Sequence, residues 1–216
     1  MTAARATGSG GGTSGRVIRR FLLLAAVTGF ALVTVWAVIR PYFFEAPAGD
    51  YQVRQGDILL TDHKWDEAIR RFDEALAVSP DHRGALMGRA IAYLQSDRPA
   101  DAEAALDLLI ATLARTDHTD DPTGRAVLAG AYANRGILFD RLGRWEAALA
   151  DYRRALQVDS GAVEGPSLMD RILYGESHPS SVAKRARYLE QQLALPEADR
   201  LLRVPEIDAR QRMYKP

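Results

Sequence analysis

The sequence predicts an all-α protein in which one membrane-spanning helix precedes a short solenoid of helical hairpins. Two observations predict this fold: residues 21–39 contain no charged side chain, and the segment 64–78 is similar to the segment 144–158. The chain has 216 residues and no cysteine. That length suits one compact domain with appendages. The lack of cysteine excludes disulfides, iron–sulfur clusters, cysteine-ligated zinc and a cysteine nucleophile.

The charged residues are distributed unevenly along the chain. Residues 1–44 hold five arginines and no acidic residue, whereas residues 45–216 hold 23 basic and 28 acidic residues. The leader therefore has a net charge of +5 and the rest −5, although the whole chain is neutral. Because phosphate binding needs a basic face, the acidic body argues against a nucleic acid as the main ligand.

The uncharged run is predicted to be a transmembrane helix. As a helix, residues 21–39 are about 28 Å long at ~1.5 Å per residue, close to the ~30 Å thickness of a bilayer core. Four arginines precede the run, and Arg40 follows it. The positive-inside rule then predicts a cytoplasmic N-terminus and a periplasmic body in the inner (cytoplasmic) membrane. Residues 1–20 are predicted to be a flexible leader, and residues 40–48 a linker.

Other interpretations of the N-terminal region stay open. Ala46-Pro47-Ala48 resembles a signal-peptidase site, so the body is secreted if the leader is cleaved, although the apolar run exceeds the usual ~7–15 residues of such a leader. The acid-free leader also fits an organellar presequence. A buried core helix is disfavoured by the flanking arginines. Gly10, Gly12 and Gly15 spell G-x-G-x-x-G, but they precede a membrane span instead of following a strand, which indicates a flexible linker.

The body contains an internal repeat. Glycine is followed after three residues by a large apolar residue, after nine more by alanine, after four by an aromatic residue and after three by alanine. This spacing resembles the tetratricopeptide repeat (TPR), in which each unit is a helical hairpin. The signature residues are Gly56, Ala68, Phe72, Ala102, Gly136, Ala148 and Tyr152. The resemblance implies hairpins at 49–82, 83–116 and 129–162, a degenerate capping hairpin at 163–196, and an insertion at 117–128.

The small signature residues mark the places where two helices cross closely, and the aromatic residues pack on the next hairpin. Because one hairpin cannot bury both of its faces, neighbouring hairpins stack into a superhelix with a concave groove. Residues 182–202 are predicted to form an amphipathic helix, interrupted by Pro196, that caps the solenoid. The tail, residues 197–216, is predicted to be either a polar frayed end or a segment that docks on the groove or on a partner.

No constellation of catalytic residues is evident. None of the three lysines follows a glycine, and the sequence has neither G-x-S-x-G nor H-E-x-x-H, so the usual nucleotide, hydrolase and zinc-protease motifs are missing. The histidines are widely spaced and are predicted to lie at the surface or to cap helices. Asp117, His118, Asp120 and Asp121 are predicted to form a solvated turn instead of a metal site, because one histidine is too few for a transition metal. We expect no enzymatic activity, no cofactor and no metal.

The family resemblance implies that residues of each first helix line the concave groove. Those residues are Arg54, Asp57, Met87, Ile91, Asn134, Ile137 and Arg141. This mixture of apolar and charged side chains suits a helix or an extended segment of a partner protein. Chaperone-binding members of the family hold a terminal carboxylate with Lys and Asn. Here Val53 and Asp57 occupy two of those positions, so that ligand is not expected. Alternatively, Ile91 and Ile137 belong to the core between hairpins.

Together these features predict a membrane-anchored TPR scaffold or adaptor that binds a protein partner during assembly of an envelope or membrane complex. The alternative is a permanent structural subunit of a membrane complex, bacterial or organellar. Ala25, Gly29 and Val33 form a weak small-residue face that a packed span would use. The expected contacts are a protein partner and the lipid bilayer, through residues 21–39, with self-association left open.

Overall fold

The structure is a computed structural model that describes residues 12–44, 47–115, 120–163, 181–204 and 213. The chain divides into two compact units, Met1–Pro47 and Ala48–Pro216. All regular secondary structure within the described residues is helical, which confirms the predicted all-α fold.

The first unit contains one long helix, α1 (Gly12–Phe44). Its segment Val17–Arg40 has 24 residues and a mean hydropathy of 2.4, and none of the segment is buried within the chain. By length and composition this segment is able to cross a membrane. The helix corrects two predicted boundaries, because residues 12–20 and 40–44 are helical instead of leader and linker. A formed helix gains one hydrogen bond for each residue added, so it extends past the apolar run. Residues 1–11 lie outside the described part.

The described part of the second unit contains seven α-helices. They are α2 (Asp50–Thr61), α3 (Trp65–Val78), α4 (Arg83–Gln95), α5 (Pro99–Ala114), α6 (Pro122–Arg141), α7 (Trp145–Val163) and α8 (Val182–Leu193). The hairpins α2–α3, α4–α5 and α6–α7 stack in chain order, and α8 packs against α7. Helix α4 also lies beside α2 and α6. The predicted first helix of the degenerate hairpin, with Pro166 and Leu173, lies outside the described residues.

The same turn joins the two helices of each of the three hairpins that the structure describes. His63, Asp97 and Gly143 have φ angles of 60°, 55° and 73°. The nitrogens of Lys64, Arg98 and Arg144 donate to the carbonyls of Leu59, Tyr93 and Phe139 at 2.9, 3.0 and 2.8 Å. A residue with positive φ enclosed by such a bond is the Schellman motif that ends many helices. The turn therefore occupies the equivalent position in all three hairpins.

Glycines give room for aromatic rings between the helices. A Cβ atom added at Gly56 would lie 2.5 Å from the ring of Phe72, and one added at Gly88 would lie 2.4 Å from the same ring. At Gly136 the added atom would lie 2.7 Å from the ring of Tyr152. The ring of Phe72 is thus enclosed by α2 and α4. The structure places all seven signature residues in the core.

Helix α6 begins earlier than the sequence analysis predicted. Residues 122–128 were assigned to the insertion 117–128, but they form the first turns of α6. The carboxylate of Asp121 accepts a hydrogen bond from the nitrogen of Gly124 at 2.8 Å and so caps the helix. Pro122 follows at the first helical position, where its missing N–H costs no hydrogen bond. Residues 116–119 lie outside the described residues, and with them Asp117 and His118.

The chain turns back after α8. The helix ends at Leu193 instead of continuing to residue 202 as predicted, and a 3₁₀ turn, Glu197–Asp199, follows. The hydroxyl of Tyr188 donates to the carbonyl of Leu201 at 2.6 Å, and the nitrogen of Leu201 donates to Oε1 of Gln192 at 2.6 Å. Residues 196–204, named the strap below, therefore run back along α8.

Candidate partner-binding surface

The predicted groove residues divide into an accessible set and a buried set. Arg54 and Arg141 are exposed, and Asp57 is partly exposed. Four others are buried, with exposures of 2% for Met87, 3% for Ile91, 0% for Asn134 and 3% for Ile137. The prediction that these four line an open groove is therefore wrong for this structure. Their burial agrees with the alternative that Ile91 and Ile137 are core residues.

One of the buried residues joins two hairpins. The amide nitrogen of Asn134 donates to Sδ of Met87 at 3.4 Å, which connects α6 to α4. Both side chains were predicted to contact a partner. In the structure they contact each other, because the first helices of successive hairpins are neighbours. The hydrogen bond also satisfies the buried amide of Asn134, which needs a partner.

Ion pairs connect each hairpin to the next on the solvent side. Arg89 donates to Asp73 at 2.9 Å and joins α4 to α3. Arg135 donates to Asp107 at 2.5 Å, and it holds Asp151 with two bonds of 2.7 and 2.8 Å. Arg135 therefore links α5, α6 and α7. The hydrogen bond with the Asp151 carboxylate, outweighing the opposite effect of burial, raises the pKa of Arg135 above its ordinary value.

A fully buried ion pair fixes the end of the solenoid. Arg185 of α8 donates two hydrogen bonds of 2.7 Å to the two oxygens of Asp140 on α6. The hydroxyl of Tyr152 donates to the same carboxylate at 3.2 Å, and Arg185 also donates to the carbonyl of Leu202 at 3.1 Å. Only 2% and 3% of the Arg185 and Asp140 side chains are exposed. One guanidinium therefore holds α6, α8 and the strap together.

The sequence did not predict Arg135, Asp140 or Arg185 as residues of this surface. No motif marks them, since each is one charged residue within a helix of mixed composition. The available signal was the charge of Asp140 between apolar residues, Leu138-Phe139 before it and Leu142 shortly after it. A carboxylate in such a run is costly to bury unless it is paired. Its partner, however, lies 45 residues away in the sequence.

Arginines stack on aromatic rings at equivalent positions of two hairpins. The guanidinium of Arg98 lies 4.6 Å from the ring centre of Tyr93, and that of Arg144 lies 4.1 Å from the ring centre of Phe139. Arg144 also holds the carboxylate of Glu103 with bonds of 2.9 and 2.8 Å. Stacking and pairing keep these cations on the solenoid surface and order the hairpin turns.

His82 caps α4, as predicted for a histidine near a helix end. Its Nδ1 accepts a hydrogen bond from the nitrogen of Ala85 at 3.4 Å, and its Nε2 lies 2.9 Å from Oδ1 of Asp50. A neutral ring with its proton on Nε2 satisfies both contacts. The first residue of α2 is thereby linked to the first turn of α4.

The accessible part of the surface includes a stripe on α2 that the sequence analysis missed. Tyr51 and Ile58 are 62% and 64% exposed, and Arg54 lies between them on the same side of the helix. Residues spaced by three and four share one helical face. The available signal was the pair of apolar residues seven positions apart. This face presents apolar and charged groups to solvent.

No group of three His, Asp or Glu residues able to hold a metal occurs in the part of the chain that the structure describes. Asp121 caps α6 and pairs with Arg83 at 2.6 Å, so its carboxylate has a structural role. Asp120 lies beside it and is exposed.

Solved structures with TPR domains resemble this chain at low sequence identity. The first TPR of Spaghetti (RPAP3), bound to the HSP90 peptide SRMEEVD, is 22% identical with a TM-score of 0.49, over 68% of this chain and 94% of that chain. The Arabidopsis OM64 TPR domain is 19% identical with a TM-score of 0.45, over 65% and 94%. The Sgt2 TPR domain from Aspergillus fumigatus is 19% identical with a TM-score of 0.46, over 72% and 89%. No curated protein matches the chain.

Two family models match the sequence itself. Residues 53–118 match one tetratricopeptide-repeat model, and residues 129–161 match another. The matched segments contain the signature glycines and alanines. The first segment contains two of the three equivalent turns, and the second segment contains the third. The two matched segments are therefore tetratricopeptide repeats, and the helical domain that contains them is a protein-interaction scaffold.

Proposed function

We propose that this protein is a single-pass membrane adaptor whose TPR domain binds a protein partner during assembly of a membrane or envelope complex. The observation that carries the proposal is the unburied apolar segment Val17–Arg40, which precedes a separate compact unit, Ala48–Pro216. A long apolar helix that is not buried within its own chain needs another apolar environment. A bilayer supplies that environment.

The arginines support one orientation of the anchor. Arg16, Arg19 and Arg20 precede the span, and Arg40 ends it. The guanidinium of Arg40 lies 5.4 Å from the ring centre of Trp36, a pairing that suits the interface between lipid and water. The positive-inside rule then favours a cytoplasmic N-terminus and a periplasmic TPR domain. Anchoring raises the local concentration of a membrane partner without requiring tight intrinsic binding.

The accessible groove residues provide the proposed contact surface. Arg54, Asp57 and Arg141 lie on the first helices of the first and third hairpins and reach solvent. Alternating charges beside apolar surface suit an amphipathic helix or an extended segment of the partner. Met87 and Ile137 are unsuitable for testing this contact. An aspartate at either position would bury a charge and unfold the domain.

The test is crosslinking in native membranes, followed by affinity purification of the full-length chain and mass spectrometry. We expect one dominant, substoichiometric protein partner that is recovered with the wild type. Its recovery should fall at least fivefold with the variant Arg54→Glu/Arg141→Glu. The matched control is Arg154→Glu/Arg187→Glu, which reverses two exposed charges on the second helices α7 and α8. Equal loss with both variants would contradict binding at this surface.

The same experiment distinguishes the adaptor from a permanent subunit. A stoichiometric set of membrane proteins that survives detergent without crosslinking would establish a structural subunit and would overturn the adaptor proposal. Recovery of no protein from the native membranes would overturn both functions.

A further inference from the structure

The exposed stripe of α2 lies on a face that the other two first helices bury. The stripe consists of Tyr51, Arg54 and Ile58, all of which are exposed. At the same distances before the equivalent turns, α4 and α6 have Ala85, Gly88 and Ala92, and Ala131, Asn134 and Leu138. All six of those residues are buried. The stripe is therefore the uncovered counterpart of a surface that is covered at two other places in the chain.

In α4 and α6 the preceding hairpin contributes to this cover. A Cβ atom added at Gly88 would lie 2.4 Å from the ring of Phe72, which belongs to α3. Asn134 of α6 donates to Sδ of Met87 on α4 at 3.4 Å. Helix α2 begins the first hairpin of its unit, so no earlier hairpin of that unit covers it. The end of a stack of repeats is normally polar, whereas this end presents two large apolar side chains.

The stripe is complementary to itself across a two-fold axis. When two copies of α2 lie antiparallel with Tyr51 opposite Ile58 of the second copy, the same contact occurs twice. In this register Arg54 lies opposite Gln55 of the second copy. Asp57 of that copy is then about 3 Å further along the helix axis, at ~1.5 Å per residue. Arg54 is exposed and Asp57 is partly exposed, so opposite charges meet at two places.

We propose that two copies of this protein pair through α2, with Tyr51 and Ile58 as reciprocal apolar contacts and Arg54 and Asp57 as reciprocal ion pairs. A helix of 12 residues is about 18 Å long. The interface is therefore smaller than the ~1,600 Å² of a standard complex and is weak in dilute solution. Anchoring of both copies in one bilayer raises their local concentration and populates the pair. The proposal rests on the proposed function only for this anchoring.

Cysteine crosslinking tests the register of the pair, because the chain contains no cysteine of its own. Full-length Tyr51→Cys and Ile58→Cys chains with different tags are reconstituted together in vesicles of phosphatidylethanolamine and phosphatidylglycerol and then oxidised. We expect at least five times more disulfide between the two variants than within either variant. Two copies of the same residue are offset by seven residues, or about 10 Å, along the antiparallel helices, which is too far for a disulfide.

The matched control for crosslinking is a second pair of cysteine variants on another helix. Ala150→Cys and Gln157→Cys lie on α7, where both positions are exposed and seven residues apart. Their mixed disulfide, formed by random collision, should reach at most a fifth of the α2 yield. Equal yields from α2 and α7 would overturn the proposal, as would a preference of either α2 variant for its own kind.

Energy transfer between fluorescent labels measures the affinity of the pair. Full-length chains with a donor or an acceptor on an N-terminal tag are mixed in the same vesicles at decreasing ratios of protein to lipid. Ile58→Asn should raise the apparent dissociation constant at least tenfold, because each pair loses the apolar contact twice. The control is Val78→Asn, which removes a side chain of comparable exposure, 59%, from α3. It should change the constant by less than about twofold.

Circular dichroism confirms that both variants are folded before their affinities are compared. Equal effects of Ile58→Asn and Val78→Asn would contradict pairing through α2, as would energy transfer no greater than that of chains that do not associate. Neither measurement needs an external partner, and Tyr51 and Ile58 are not among the groove residues whose charge reversal tests partner binding. Self-association and the adaptor function can therefore fail separately.

Discussion

At the scale of single residues, the fit of rings against glycines defines the core. The ring of Phe72 leaves no room for a Cβ atom at Gly56 or Gly88, where the nearest ring atoms would lie at 2.5 and 2.4 Å. Gly84 lies on the same helix as Gly88, yet its nearest neighbours would be at 3.4 Å, an ordinary contact. Two glycines of α4 thus have different roles that the sequence does not distinguish.

We expect Gly88→Ala to lower the free energy of unfolding by about 1–3 kcal/mol, because the methyl group would overlap the ring of Phe72. For a domain of this size the melting temperature should fall by about 2–4 °C for each kcal/mol. Thermal unfolding of the full-length protein in detergent, followed by circular dichroism, measures it. Gly84→Ala is the control and should be neutral or slightly stabilising, because alanine favours helix. Equal effects of both variants would contradict this account.

At the scale of helices and turns, the repeat spacing predicted most of the architecture. The hairpins at 49–82 and 83–116 contain α2–α3 and α4–α5, because the small residues and turns follow local rules. The start of α6 was missed, although Asp121-Pro122 is an ordinary capping pair, because an Asp-rich segment with Gly124 also fits a turn. The burial of Met87 was not predictable, since it depends on chain segments distant in sequence.

The three equivalent turns should respond differently to substitution. Gly143→Ala places a Cβ atom on a residue with φ of 73° and should cost about 1–2 kcal/mol. Asp97→Gly at the equivalent position relieves that strain and should be neutral or stabilising by less than about 1 kcal/mol, because glycine also loses more chain entropy on folding. Urea unfolding of both variants gives the comparison. Destabilisation by Asp97→Gly equal to that by Gly143→Ala would show that φ is not the cause.

The docking of α8 depends on its buried arginine. Arg185→Leu leaves the carboxylate of Asp140 buried without its guanidinium and should cost about 3–5 kcal/mol. Arg185→Leu/Asp140→Leu should recover a large part of that loss, since no unpaired charge stays buried. The control is Arg153→Leu, which removes an exposed ion pair with Glu190 between α7 and α8 and should cost less than about 1 kcal/mol. A double-mutant cycle measured in urea gives the coupling energy, and a coupling near zero would contradict the proposed role.

At the scale of the whole molecule, an apolar helix and an acidic TPR domain form two separate compact units. The length, the apolar composition and the flanking arginines of the span are all visible in the sequence, so the existence of such a helix was predictable. The sequence leaves open whether it is retained, because a cleaved leader meets the same criteria of length and composition.

We expect the full chain of 23.8 kDa to stay in the membrane fraction after an alkaline wash. Protease added from the periplasmic side should digest the TPR domain and spare an N-terminal tag. Leu23→Arg/Val27→Arg should release the protein from the membrane fraction, since each arginine at the centre of a span costs about 2.5–3.5 kcal/mol. Leu23→Ile/Val27→Ile is the matched control. A soluble product that lacks residues 1–48 would establish secretion after cleavage instead.

The packing of Phe72 against Gly56 has a consequence for how such a sequence can change. The third hairpin repeats that combination with Tyr152 and Gly136, whereas the second has the smaller Leu106 with the larger Ala90 at the same two positions. The chain therefore contains two kinds of residue pair at these positions, a large ring with glycine and a smaller leucine with alanine, and the summed side-chain volume of the two kinds is similar. Substitutions at these two positions should be accepted in pairs. In related sequences the two sites should co-vary, with a gain of volume at one matched by a loss at the other.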